Sequence, residues 1–151
     1  MLVPMKFPAL TFSQGLINFI YSTNNITRCT RAGFKSGFYK ELLVVDSEGQ
    51  KFRVTDVRKI RTLPYKFNMG GFLALISWNP DWEIELIFAP TPSKISLEEL
   101  KKMIFKSFRK ELDMWEENTD FEEFRDKLSA VTSIEQIFAI FGEVYRKSHH
   151  E

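Results

Sequence analysis

The chain has 151 residues, 44% of them hydrophobic, and a formal net charge of +1. A chain of this length is expected to form a single domain, 1–151, with a sizeable core. Its one cysteine, Cys29, excludes an intramolecular disulfide, and no apolar stretch approaches the roughly 18 residues of a membrane span. The N-terminus has no signal-peptide pattern, so we expect a soluble, cytoplasmic protein.

The first third of the chain has the least regular pattern. Leu10–Tyr21 is apolar, and Ser13 is a suitable cap for a short helix. Gly15 weakens that helix, so a strand is an alternative interpretation. Thr27–Gly37 mixes cations with small and polar residues, which predicts a loop.

Two β-hairpins are predicted in the middle. Phe38–Val45 is rich in strand formers, and the turn that follows, Asp46–Gly49, has Asp first and Gly last. Gln50–Val57 then alternates apolar and polar residues, which is typical of a strand with one wet face. The second hairpin joins an apolar run, Phe72–Trp78, to an alternating strand, Trp82–Phe88, through a turn at 79–81.

The last third predicts three amphipathic helices, each preceded by a capping box: Ser96–Glu99, Thr119–Glu122 and Ser133–Gln136. The first helix follows an apolar stripe over 97–117, and the second starts near Asp120, where that stripe breaks. Residues 1–90 are thus mostly β, with an N-terminal helix as one alternative, and 95–147 are helical. This order predicts an α+β fold, an antiparallel sheet of about four or five strands packed against C-terminal amphipathic helices.

The inventory of reactive residues argues against catalysis and metal binding. The two histidines, His149 and His150, lie in the last three residues, so a Ser or Cys nucleophile lacks a base in the domain. One cysteine and two tail histidines do not form a closed zinc site, and phosphate-binding glycine motifs are absent. We therefore predict no catalytic residue, no metal and no cofactor.

Two further sets of residues, around Cys29 and at Glu83 and Glu85, do not indicate a catalytic site. Arg28 and Arg31 lie beside Cys29 and could lower its pKa, but without a base we interpret Cys29 as an inert intracellular thiol. Glu83 and Glu85 share a strand face. Acid–base catalysis needs carboxyl groups in different environments within a cleft, so we interpret this pair as solvated surface.

Charge is unevenly divided along the chain. Residues 1–75 carry eleven Lys/Arg against four Asp/Glu, a net of +7, and residues 76–151 carry ten against sixteen, a net of −6. The basic half suggests a nucleic-acid surface over 51–66, with aromatic residues among its cations, although the sequence pI of 7.8 is low for such a role.

The acidic residues concentrate between 111 and 126, where Arg125 is the single cation. Like charges at helical spacing oppose helix formation, which suggests that this negative field has a use. We predict that it binds a basic protein surface. The candidate partner-binding residues are Glu111, Asp113, Glu116, Glu117, Asp120, Glu122, Glu123 and Asp126. Trp115, beside them, is either a core residue or a binding hot spot.

The hairpin sheet, the C-terminal helices, the missing catalytic constellation and the acidic surface together resemble bacterial immunity proteins of contact-dependent and related polymorphic toxin systems. The resemblance covers about 38–147 and includes no specific motif, so no functional residue transfers by position. It implies a non-enzymatic inhibitor that occludes a cognate toxin, with no membrane association. A nucleic-acid-associated protein, or an enzyme with an unrecognised site, remains the alternative.

Overall fold

The structure is a computed structural model that describes residues 5–22, 26–63, 81–115 and 121–149. Its strands are β1 (Ala9–Ser13), β2 (Leu16–Ile20), β3 (Arg28–Thr30), β4 (Leu43–Asp46), β5 (Gln50–Thr62), β6 (Asp81–Phe88) and β7 (Ser93–Lys94). Its helices are α1 (Arg31–Lys35), α2 (Leu97–Trp115), α3 (Phe121–Ala130) and α4 (Ile134–His149), with a 3-10 helix at Phe38–Glu41.

The predicted α+β fold is confirmed, with more strands than expected. The described residues form a seven-stranded antiparallel sheet in the order β2-β1-β4-β5-β6-β3, and β7 pairs with β5. The long strand β5 pairs with β4 near its start and with β6 along its later part. Its register against β6 shifts at Val54/Asp56 and again at Lys59/Arg61. Such bulges bend a strand, and here they accompany the curl of the sheet.

Successive side chains of a strand point to opposite faces, and each face here has its own core. Leu10 and Phe12 of β1 and Val45 of β4 pack against the three C-terminal helices, where Leu100 and Ile104 of α2 are fully buried. The opposite face holds a second cluster that includes Ala9, Ile20, Val44, Phe52 and Val54. The first cluster therefore anchors the helices, and the second lies beneath the curled part of the sheet.

Two of the three predicted capping boxes lie within the described residues, and in each the hydrogen bond to the N-cap hydroxyl is formed. The Ser96 hydroxyl accepts a hydrogen bond from the Glu99 backbone N–H at 3.1 Å, and Ser133 accepts one from Gln136 at 3.3 Å. These bonds satisfy N–H groups that lack a partner in the first turn of a helix. The box at 119 lies outside the described residues, but α3 begins at Phe121, close to the predicted start.

The N-terminal segment is a hairpin, so the helix interpretation of Leu10–Tyr21 was wrong and the strand alternative was right. β1 and β2 are joined by Gln14 and Gly15, with φ angles of 53° and 79°. A two-residue hairpin loop with positive φ at both positions matches the right-handed twist of the strands. The local helix propensity around Ser13 is thus overridden by strand pairing.

Two predictions after the first hairpin also need correction. Thr27–Gly37 is not a loop, because it contains β3, which pairs with β6, and α1, whose first turn is capped by the Thr30 hydroxyl. The predicted strand Phe38–Val45 is a 3-10 helix in its first half and β4 in its second. The Ser13 hydroxyl donates to the Phe38 carbonyl and fastens that 3-10 helix to β1.

The predicted turn between β4 and β5 is confirmed. The Gly49 N–H donates to the Asp46 carbonyl at 3.0 Å, and Gly49 has a φ of 80°, which favours glycine. The Asp46 side chain is fully buried and accepts three backbone hydrogen bonds. Of the second predicted hairpin, the strand Trp82–Phe88 is confirmed as β6. Its other strand, Phe72–Trp78, lies outside the described residues, so the hairpin itself stays a prediction.

Candidate functional site

Helix α3 carries acidic side chains on the side opposite its core contacts. Phe124 is 4% exposed and Leu128 is fully buried, whereas Glu122, Glu123 and Asp126 are exposed. At about 100° per residue, the three carboxylates fall on one side of the helix and the two apolar residues on the other. Three of the eight candidate partner-binding residues therefore lie together on one outward surface, which we call the α3 acidic face.

Local contacts stabilise the carboxylates of the α3 acidic face and partly neutralise their charge. Glu122 and Glu123 lie in the first turn of α3, where the positive end of the helix dipole favours anions. Glu123 also pairs with Lys127 at 3.2 Å, one helical turn away. An exposed pair of this spacing contributes only about 0.3–0.5 kcal/mol to stability. The carboxylates thus remain accessible to a partner.

Helix α3 is fixed to the rest of the protein at several points. The Phe124 ring meets the Phe141 ring edge-on, with centroids 5.5 Å apart. The Lys101 ammonium group of α2 donates to the carbonyls of Ser129 and Val131, at 3.2 and 2.7 Å. Ser129 is in the last turn of α3 and Val131 directly follows its end at Ala130, where a cation interacts well with the helix dipole. The acidic face is therefore presented by a helix with a fixed orientation.

Of the other five candidate acids, the structure describes the positions of two. Glu111 and Asp113 lie on α2, near the C-terminal end of that helix. Glu116, Glu117 and Asp120 lie outside the described residues. Trp115 is the last residue of α2, and whether it is a core residue or a hot spot stays a prediction.

The predicted basic surface over 51–66 is partly neutralised. Arg61 of β5 forms an ion pair with Glu83 of β6, and Arg58 lies opposite Glu85 in the same register. Closer to the start of β5, Lys51 pairs with Glu99 of α2 at 3.1 Å. Carboxylates of the acidic half, on β6 and α2, thus meet cations of the basic half on β5.

The aromatic residues of this region do not form the predicted stacking platform in the described part. Phe52 is 4% exposed and belongs to the core, and Tyr65 and Phe67 lie outside the described residues. The ammonium group of Lys59 lies 4.1 Å from the centroid of the Trp82 ring, a cation–π contact. Glu83 and Glu85, interpreted as solvated surface, face the arginines of β5. These contacts weaken the nucleic-acid alternative, which needs free cations and exposed rings.

Cys29 is buried beside Tyr39, whose hydroxyl is hydrogen-bonded to it. Burial raises the pKa of the Cys29 thiol above its usual range, and the charge of Asp81 raises it further. Arg28 and Arg31, which could lower this pKa through their charge, therefore do not determine it. Burial and the neighbouring thiol also raise the pKa of Tyr39, to about 12. A protonated, buried thiol is a poor nucleophile, which agrees with the interpretation of Cys29 as inert.

The raised pKa values predict that the protein loses stability at alkaline pH. Above pH 10, Tyr39 ionises in the unfolded chain but keeps its proton in the folded one, so unfolding becomes more favourable as the pH rises. We expect the free energy of unfolding of Tyr39→Phe to fall less steeply between pH 9 and pH 11 than that of the wild type. Urea denaturation at each pH measures this slope. Tyr21→Phe, which removes a phenol that is 43% exposed, is the control. Equal slopes for the wild type and Tyr39→Phe would contradict the assignment.

Comparison with known proteins gives no relative from which a site can be transferred. No protein-family model, no curated protein and no solved structure matches the chain. Within the described ranges, no helix is both long and apolar enough to cross a bilayer. The same residues contain no group of three or more His, Cys, Asp or Glu side chains arranged to hold a metal ion.

Proposed function

We propose that this protein is a non-enzymatic inhibitor that binds a basic partner protein through its acidic surface, in the manner of a bacterial immunity protein. The partner would be a cognate toxin, met in the cytoplasm and blocked by direct occlusion. The observation that carries the proposal is the α3 acidic face, Glu122, Glu123 and Asp126, which lies opposite the buried Phe124 on a firmly held helix.

Three features of this surface suit protein recognition. Its charge attracts a basic partner over several ångströms and speeds the encounter. Its helix keeps a fixed orientation through the contacts of Lys101 and Phe141, so little conformational freedom is lost on binding. The cations of β5, in contrast, face carboxylates of the same chain at Glu83 and Glu85.

Co-expression tests the proposal. The product of the reading frame next to this gene is produced in a bacterial host, alone and together with this protein. We expect growth arrest by the first protein and recovery when this protein is present, together with a complex that survives gel filtration. An unrelated protein of similar size and charge serves as the control. Growth arrest that this protein does not relieve, with no complex formed, would contradict the proposal.

A further inference from the structure

A cleft of about 250 Å³ lies on the face of the sheet that the C-terminal helices do not cover. Its floor is formed by β1 and β2, where Thr11 stands directly opposite Asn18 in the antiparallel register. Ile20, Ile26 and Leu42 contribute apolar parts of its walls, and Thr11, Asn18 and Tyr39 contribute polar groups. The cleft is distinct from the α3 acidic face, because Thr11 alternates with Leu10 and Phe12, whose side chains face the helices.

The wall opposite the strands is held in place by the 3-10 helix. Ser13 of β1 donates to the carbonyl of Phe38, and Tyr39 next to it lines the cleft. Tyr39 is itself held by its hydrogen bond to Cys29 on β3. Contacts to two strands therefore fix the wall formed by the 3-10 helix, as expected of a preformed site.

Thr11 presents a polar group that the protein itself does not use. The residue is 4% exposed, and its hydroxyl has no hydrogen-bond partner among the described residues. Among the described residues, every side-chain oxygen or nitrogen atom that is fully buried has a hydrogen-bond partner. Because the Thr11 hydroxyl has no such partner, it is not fully buried, and it is accessible from the cleft that Thr11 lines. A nearly buried hydroxyl without a partner is unfavourable unless water or a ligand satisfies it.

The lining restricts the chemistry of an occupant. Of the eight described residues that border the cleft, none is charged. The Tyr39 phenol also stays neutral, because its pKa is raised to about 12. An ion would lose its hydration in the cleft without gaining a counter-charge, so a neutral molecule is favoured. The volume exceeds the roughly 150 Å³ that encloses benzene in an apolar cavity, which leaves room for a ring with a small substituent.

We propose that this cleft binds a small uncharged molecule with one apolar ring and one hydrogen-bonding group, which pairs with the Thr11 hydroxyl. Ile20, Ile26 and Leu42 enclose the ring, and Asn18 offers a second polar contact at the exposed rim. This site is independent of the proposed inhibitor function, since Thr11, Asn18 and Ile20 lie on the other face of the sheet from the helices.

Titration of the full chain with p-cresol, followed by amide NMR, tests the proposal. Toluene is the matched probe without a hydroxyl, and benzoate is the matched probe with a charge. We expect saturable shifts of the Thr11, Asn18 and Leu42 amides with p-cresol. Toluene should bind about three- to tenfold more weakly, since it lacks the hydrogen bond, and benzoate should not saturate. No saturable shift with p-cresol, or equal responses to p-cresol and benzoate, would overturn the proposal.

The Thr11→Val variant identifies the hydrogen-bonding group. Valine has the same shape, so we expect an unchanged fold, p-cresol affinity lowered about three- to tenfold, and toluene affinity unchanged. Thr55→Val is the control, because the Thr55 hydroxyl is exposed and donates to the Ile87 carbonyl away from the cleft. Equal p-cresol affinities for wild type and Thr11→Val would exclude this role of Thr11. Should Thr11→Val fail to fold, the comparison of p-cresol with toluene on the wild type decides.

Discussion

Replacing Asp46 with alanine is expected to cost roughly 3–5 kcal/mol in the free energy of unfolding. The buried carboxylate accepts hydrogen bonds from the backbone N–H groups of Lys6, Glu48 and Gln50 at 3.1, 3.0 and 2.9 Å. Each N–H left without an acceptor in a buried site costs about 1–3 kcal/mol. Such a loss is a large fraction of the roughly 5–15 kcal/mol that stabilises a typical domain.

Urea denaturation of three variants checks this prediction. Asp46→Asn keeps the shape and one acceptor oxygen but turns an N–H₂ group toward one of the backbone donors, so we expect a smaller loss than for Asp46→Ala. Asp126→Ala makes the same chemical change at an exposed position of α3 and should change stability by no more than about 0.5 kcal/mol. A loss below about 1 kcal/mol for Asp46→Ala would show that its three backbone hydrogen bonds are replaced by water.

The second prediction concerns affinity. Neutralising the α3 acidic face with Glu122→Gln, Glu123→Gln and Asp126→Asn together should weaken partner binding about ten- to a hundredfold. Each exposed charge contributes up to about 1 kcal/mol to such an interaction, and 1.4 kcal/mol corresponds to a factor of ten. Neutralisation is preferable to charge reversal, because two of the residues lie in the first turn of α3. A cation there would cost about 0.3–1 kcal/mol of helix stability in addition.

The matched control uses acids in the same structural position on other helices. Glu98 and Glu135 are exposed and lie in the first turns of α2 and α4. Glu98→Gln with Glu135→Gln should therefore have a similar effect on helix stability while leaving affinity nearly unchanged. Thermal unfolding of both variants establishes that the fold is kept. If the control pair weakened binding as much as the α3 variant, net charge and not a specific surface would be responsible.

The sequence predicted correctly those elements whose structure depends on residues close together in the chain. The capping residue Ser96 and the apolar stripe after it predicted α2, and Asp46 with Gly49 predicted the turn before β5. Each of these features depends on residues within a few positions of one another. The exposure of Glu122, Glu123 and Asp126 also followed from helical spacing, once Phe124 and Leu128 were assigned to the core.

Features that depend on distant residues were not predictable in the same way. β3 has three residues and is defined by its pairing with β6, more than fifty positions away. The hairpin of β1 and β2 turns at Gln14, a residue that seldom adopts positive φ, so the usual Asn-Gly or Asp-Gly signal is missing. The bulges that extend β5 to Thr62 likewise arise from its partner β6.

The same reason explains what could not be predicted at the candidate sites. Arg28 and Arg31 adjoin Cys29 in sequence, but burial and Asp81 determine its pKa. Glu83 lies on the surface, as predicted, but its ion-pair partner, Arg61, belongs to the neighbouring strand and does not follow from the pattern of its own strand. Sequence proximity is thus a poor guide to electrostatic partners within a sheet, where cross-strand neighbours are the closest.

The dependence of the dissociation constant on salt, for the wild type and the neutralised α3 variant, tests the central claim most directly. Exposed charges act through a field that is screened over about 8 Å at physiological ionic strength. The account predicts that wild-type binding to the basic partner weakens steeply as salt rises, mainly through the association rate, and that the variant binds more weakly with a shallower dependence. Unchanged affinity and unchanged salt dependence in the variant would contradict it and move the binding site away from α3.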